Sequence, residues 1–143
     1  FEAWKKQSYE GLPFQEWDAT EIITNLQERF RSKSEKILAD LFLSKGIFYK
    51  YECPLYLSET TVYYPDFTFF DPRRNQEIYW EHFGRMDLPS YAINAVKKIR
   101  LYEENGIILG KRLITTFEGN PLVLDMQRVQ ELIDRFELRL CAR

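Results

Sequence analysis

Val62-Tyr63-Tyr64-Pro65-Asp66-Phe67-Thr68-Phe69-Phe70 and, one turn later, Glu77-Ile78-Tyr79-Trp80-Glu81-His82-Phe83 decide the architecture of this chain. Both runs are rich in β-branched and aromatic residues, which suit the pleated, half-buried surface of a sheet. Asp71-Pro72-Arg73-Arg74-Asn75 between them is turn chemistry, so the runs are predicted to pair as antiparallel neighbours. Two-residue alternation puts Tyr79, Glu81 and Phe83 on one face of the second run and Ile78, Trp80 and His82 on the other. Pro65 cannot donate a ladder hydrogen bond, so Asp66 is expected where the first strand is bent, bulged or at an edge. Asp66 and Glu81 thus stand at strand positions that ordinarily carry apolar or uncharged residues. A carboxylate among aromatic rings loses hydration unless a cation or donors compensate it, and one hard divalent cation compensates two. The pair is a candidate site for magnesium or manganese.

Outward from this centre, Ile47 to Leu57 reads as a preceding strand joined through Ser58-Glu59-Thr60-Thr61, which completes a three-stranded meander. Ahead of it, Leu38, Ala39 and Phe42, with Ile37 and Leu41 widening the stripe, predict a helix that Ser32 or Ser34 caps and Gly46 ends. Asp18-Ala19-Thr20-Glu21 has the form of a capping box and predicts an earlier helical start. Residues 1–17 show neither helical nor strand periodicity and read as an arm. Downstream, Pro89 opens a helix to about Asn105, with Ala92, Ala95, Val96, Ile99 and Tyr102 inward and Gly106 as terminator. Arg112 to Phe117 is a fourth strand. A last helix, about Asp125 to Arg139, buries Val129, Leu132, Ile133 and Phe136. The helix between strands three and four lets them run parallel in a right-handed crossover. The expectation is one α/β domain over 1–143: arm 1–17, core 18–117 and C-terminal helix 118–143, with a mixed four-stranded sheet flanked by helices.

Composition narrows the function. With 143 residues, 45% hydrophobic and 16% aromatic, the chain has material for a single core. Twenty basic residues against 22 acidic give no global basic excess, so any nucleic-acid surface must be local. Cys53 and Cys141 lack zinc-ligand spacing and are expected as reduced thiols. No apolar run approaches the roughly 20 residues that span a bilayer, and no secretory pattern opens the chain, so a cytoplasmic protein without membrane contact is expected. Because the chain begins at Phe1 rather than Met, a processed product or a piece of something longer is also expected.

Ordinary roles compete with each candidate. Pro-Asp alone is a common turn, and Glu35 in a first helical turn already suits the helix dipole, although its place one turn before Leu38 and Ala39 also aims it at the sheet. His82, the lone histidine, fits a structural hydrogen-bonder better than a catalyst. Tyr63, Tyr64, Phe67, Phe69 and Phe70 fit a core better than a base-stacking platform, and Arg73-Arg74 reads as a solvated turn.

Taken together, Ser34-Glu35-Lys36, Tyr64-Pro65-Asp66-Phe67, Trp80-Glu81-His82 and the segment Lys98 to Tyr102 resemble the PD-(D/E)XK nuclease superfamily over about residues 34–116. The resemblance implies a restriction-endonuclease-like fold and a magnesium- or manganese-dependent endonuclease acting on DNA. Such a domain would be stand-alone or a module of a repair, helicase-associated or phage-defence protein. It implies Glu35 as helix acid, Asp66 and Glu81 as metal ligands and the His82 main-chain carbonyl as a further ligand. The family pattern has a lysine two residues after the second acid, where this chain has Phe83. A lysine moved to the next helix is a variation of the family, and Lys97 and Lys98 are available. Helical geometry favours Lys98, which shares a strip with Tyr91, Ala95 and Tyr102. Lys33, Lys36, Arg85, Lys97, Arg100 and Lys111 are the candidate DNA contacts. Two other readings compete: a catalytically inactive nucleic-acid-binding domain of the same fold, and a protein-interaction domain whose arm, Phe1 to Trp17, docks a partner, a larger parent chain or a second copy as a homodimer.

Overall fold

The computed structural model of the protein describes residues 1–7, 9–11, 22–23 and 29–141. In chain order it contains helix Glu2–Lys6 (α1), strands Ile22–Ile23 (β1) and Arg29–Phe30 (β2), and helix Lys33–Ser44 (α2). Strands Lys50–Tyr51 (β3), Leu55–Tyr56 (β4), Val62–Tyr63 (β5), Phe67–Asp71 (β6) and Gln76–Phe83 (β7) follow. Helix Pro89–Glu104 (α3), strand Leu113–Phe117 (β8), helix Met126–Arg135 (α4) and a 3₁₀ turn, Leu138–Cys141, complete it. The main sheet has the order β3-β6-β7-β8. β3, β6 and β7 are antiparallel neighbours, and β8 runs parallel to β7 with Glu81 opposite Thr115. The molecule is therefore α/β with a mixed four-stranded sheet and helices on it. Among the described residues no helix is long and apolar enough to cross a membrane.

Alternation along β7 sorts the core as the pattern predicts. Ile78 and Trp80 join Phe67, Phe69 and Ile114 against Leu38, Ala39 and Phe42 of α2 and Val129, Leu132 and Ile133 of α4. On the other face Tyr79 and Leu113 meet Tyr102 and Ile107. Trp80 is fully buried beside Phe42, and burying a side chain of that kind contributes about 1.5–3 kcal/mol.

Five features differ from the sequence expectation. The first two predicted strands each come in two pieces: pairing in the main sheet stops at Tyr51 opposite Phe67, and the outer pieces β4 and β5 form their own two-stranded ribbon. Pro54 and Pro65 lack a donor, and Glu52, opposite the bend, takes a left-handed conformation at φ 50°. Ile22–Ile23 pairs with Arg29–Phe30 rather than continuing a helix, while the capping box Asp18 to Glu21 lies outside the described residues. The start of the arm is folded onto the protein's own sheet. Trp4 is buried against Phe48 and Phe70 and donates its indole N–H to Glu77 at 2.7 Å. Finally, Val96 lies outward with 45% of its surface exposed, beside Ile93, and α4 stops at Arg135 in a turn carrying Glu137 at φ 52°. The apolar character of position 96 widened the predicted stripe beyond the face that packs.

Candidate functional site

Asp66 occupies the bend where the chain leaves the β4–β5 ribbon and enters β6. Its Oδ2 accepts the His82 N–H at 2.6 Å. This bond follows from the register of β7. Tyr79 N–H donates to Arg112 and Phe83 C=O accepts from Glu118, so odd-numbered residues use their backbone toward β8. The N–H and C=O of His82 consequently turn toward the β6 side, where the ladder has ended at Phe67 opposite Trp80. A side-chain carboxylate thus replaces the missing strand at the point where the sheet runs out.

Glu81 is 2% exposed and faces α3. Its Oε2 accepts from the Tyr102 hydroxyl at 2.7 Å and lies 2.6 Å from Lys98 Nζ. Lys98 and Tyr102 stand one helical turn apart, so one strip of α3 delivers both groups to one carboxylate oxygen. The Lys98 ammonium also sits 5.2 Å from the centre of the Tyr63 ring. Lys97 is exposed and points away, as the helical strip implies.

Glu35 comes from the first turn of α2. Ser32 caps that helix by accepting from Glu35 N–H at 3.1 Å, and its hydroxyl returns a bond to Glu35 Oε2 at 2.7 Å. Tyr51 donates to Glu35 Oε1 at 2.7 Å. Both oxygens of Glu35 are therefore engaged, so it contributes charge and position to the site rather than a free ligand.

These groups line one pocket of about 270 Å³, bounded by Glu35, Asp66, Glu81, His82, Tyr91 and Lys98. Burial, then the charges of Glu81 and Glu35, push the Asp66 carboxyl well above its ordinary value, against the His82 N–H and Lys98. Burial lowers the Lys98 ammonium, but the charge and hydrogen bond of Glu81, with the charge of Asp66, leave it above its ordinary value. Burial followed by the neighbouring carboxylates raises Tyr51 and Tyr102, which keeps both phenols as donors.

The donor chemistry fits a hard divalent cation. Three carboxylates face one ammonium, and among the described residues no protein partner is shown for Asp66 Oδ1 or Glu81 Oε1. Those two oxygens and the His82 carbonyl belong to residues lining the same pocket and are donors of the kind magnesium takes together with water. No group of three or more His, Cys, Asp or Glu side chains able to hold a metal by themselves occurs among the described residues. The fit therefore depends on the main-chain carbonyl and water.

The His82 side chain has a separate task. Trp80 Nε1–H can only donate, so Thr116 Oγ1 accepts it at 3.1 Å and turns its own hydrogen to His82 Nδ1 at 2.8 Å. His82 Nε2–H then donates to Glu118 at 2.7 Å, and Ser34 of α2 donates to the same carboxylate. This chain locks β7, β8 and α2 together behind the pocket. Gly119 belongs to the same support, since a Cβ there would stand 2.6 Å from Asp87 N, and the close approach lets the loops after β7 and β8 touch.

The expected DNA contacts do not gather around the pocket. Lys33 and Arg85 are exposed near it in sequence, at two and three positions from Glu35 and His82, and Lys36 is paired with Asp40 at 2.9 Å. Lys97 and Arg100 line an outward strip with Met86, Ile93 and Val96. Lys111 stands apart from the pocket: Tyr79 lies opposite Leu113, so residue 111 falls at the Gln76 end of the sheet, away from Glu81. Sequence reading named Ser32 as a possible cap and missed the roles of Tyr51 and Tyr102. For Tyr102 the signal was present, a hydroxyl four residues after Lys98 on the same strip. Comparison with protein-family models, with curated proteins and with solved structures returns no match to this chain.

Proposed function

We propose that the protein is a restriction-endonuclease-like, PD-(D/E)XK-type nuclease that hydrolyses phosphodiester bonds of DNA with magnesium or manganese. The observation that carries this reading is the convergence of Glu35, Asp66, Glu81 and Lys98, from four separate segments, on one pocket. Asp66, Glu81 and the His82 carbonyl would hold the cation. Bound there, it would supply Lewis-acid polarisation of a phosphate oxygen and acidify a water to serve as nucleophile. Lys98 offsets negative charge that grows on the phosphate oxygens in the transition state. Tyr102 fixes the Glu81 carboxylate so that its other oxygen stays available, and Glu35 adds the negative charge that favours a divalent over a monovalent ion. Phe83, at the family's usual lysine position, would suit an inactive site; the 2.6 Å contact of Lys98 with Glu81 supports an active one. The protein is proposed to work in the cytoplasm, alone or as a module of a repair, helicase-associated or phage-defence protein.

The test is cleavage of plasmid, linear and single-stranded DNA with magnesium, manganese or chelator. Metal-dependent cleavage that Asp66→Ala abolishes without unfolding the domain is the expected result. Equal cleavage by Asp66→Ala, or none by the wild type under any condition, would remove the reading.

A further inference from the structure

A second charged cavity, of about 470 Å³, lies at the opposite end of β7 from Glu81. Arg73 and Arg74 reach it from the β6–β7 turn, Lys111 and Arg112 from the turn before β8, and Arg135 from the last turn of α4. Glu137 is the one acidic residue lining it, so five cations meet one anion on a chain whose formal net charge is −2. Part of that charge is already used: Arg73 pairs with Glu137 at 2.8 Å and Arg74 with Asp71 at 2.9 Å. Arg112 is braced differently, donating Nε–H to the Glu77 carbonyl at 3.0 Å with its guanidinium 5.7 Å from the Tyr79 ring centre. Among the described residues no acidic partner is shown for Lys111, Arg112 or Arg135.

From this arrangement we infer that the groove binds the phosphodiester backbone of nucleic acid, at a site separate from the carboxylate pocket. Three unpaired cations beside two anchored guanidiniums, drawn from three segments, match a ligand carrying several phosphates. Guanidinium forks fit phosphate oxygens in pairs, and held guanidiniums lose little freedom on binding. The groove also answers a difficulty in the composition, because an acidic chain needs a local basic surface to hold a polyanion. The class of ligand rests on the nuclease reading of the carboxylate pocket, but the binding itself needs neither metal nor cleavage.

The experiment measures binding of a fluorescein-labelled duplex oligonucleotide by anisotropy, in chelator, across a salt series. Wild type is compared with the double variant Lys111→Ala, Arg135→Ala, both exposed positions where melting is expected to be unchanged. The variant should bind at least tenfold more weakly, and the slope of log Kd against log salt should fall by about 2, near 0.9 for each lost phosphate contact. Unchanged affinity and slope would overturn the inference. So would saturable binding of inorganic phosphate with no binding of the oligonucleotide, which would mark a small-anion site. Because chelator prevents cleavage, a failed nuclease assay and a failed binding assay are separate results.

Discussion

Asp66 and Asp71 bracket the same five-residue strand and meet opposite surroundings. Asp71 accepts from Arg73 N–H at 3.0 Å and from the Arg74 guanidinium at 2.9 Å. Burial pushes its carboxyl up, but these donors and the Arg73 charge outweigh that and hold it below its ordinary value. Asp66 has one backbone donor and two carboxylates for company, and it is pushed the other way. The turn chemistry Asp-Pro-Arg-Arg-Asn satisfies Asp71 from within three residues of sequence. Nothing local satisfies Asp66, and the fold brings more negative charge to it. One aspartate is explained by folding; the other is where the proposed cation would bind.

The largest effect expected from this contrast is on cleavage. Asp66→Asn keeps the acceptor for the His82 N–H but loses the charge. It should reduce cleavage by about 1000-fold or more, roughly 4 kcal/mol at the transition state, while the melting temperature in chelator stays level or rises. A large fall in melting temperature would make Asp66 a structural residue like Asp71 and erase the contrast. Next in size is the lysine: Lys98→Ala should lower cleavage on the order of 100-fold, and Lys97→Ala should leave it within about twofold. Equal losses in single-turnover kinetics would show that neither lysine is placed by the pocket.

Asp71→Ala should behave in the reverse sense, costing about 2 kcal/mol in denaturant unfolding because turn N–H groups lose a buried acceptor, with cleavage per folded molecule unchanged. Its pH dependence sharpens the comparison. A carboxyl held below its unfolded value stabilises the fold above the unfolded pKa of about 3.9, and that contribution is lost as pH falls through the folded value. The stability gap between wild type and Asp71→Ala should therefore be full at neutral pH and begin to close below about pH 4. A gap that widens on acidification would reverse the assignment.

Which of these features the sequence made legible depends on how local their causes are. Pro65 announced the bend at Asp66, two-residue alternation separated Glu81 from Trp80, and helical spacing preferred Lys98 to Lys97. Each of these needs only its near neighbours. The break at Glu52 needed the partner strand, since its left-handed φ answers the bend opposite it. Val96 was misread because an apolar residue at the edge of a stripe looks the same whether or not a neighbour covers it. The distance of Lys111 from the carboxylate pocket follows from the parallel register of β7 and β8, which no short window encodes. The Tyr51 and Tyr102 hydroxyls were hidden by their rings, which are core by composition and donors by geometry.

The direct test of the carboxylate pocket is calorimetric titration of metal-free protein with manganese, for wild type and Asp66→Asn. One saturable site in the wild type that Asp66→Asn removes, with both proteins folded, is the predicted result. Identical isotherms for the two, or no saturable binding by the wild type, would contradict the claim that Asp66 and Glu81 form a cation site.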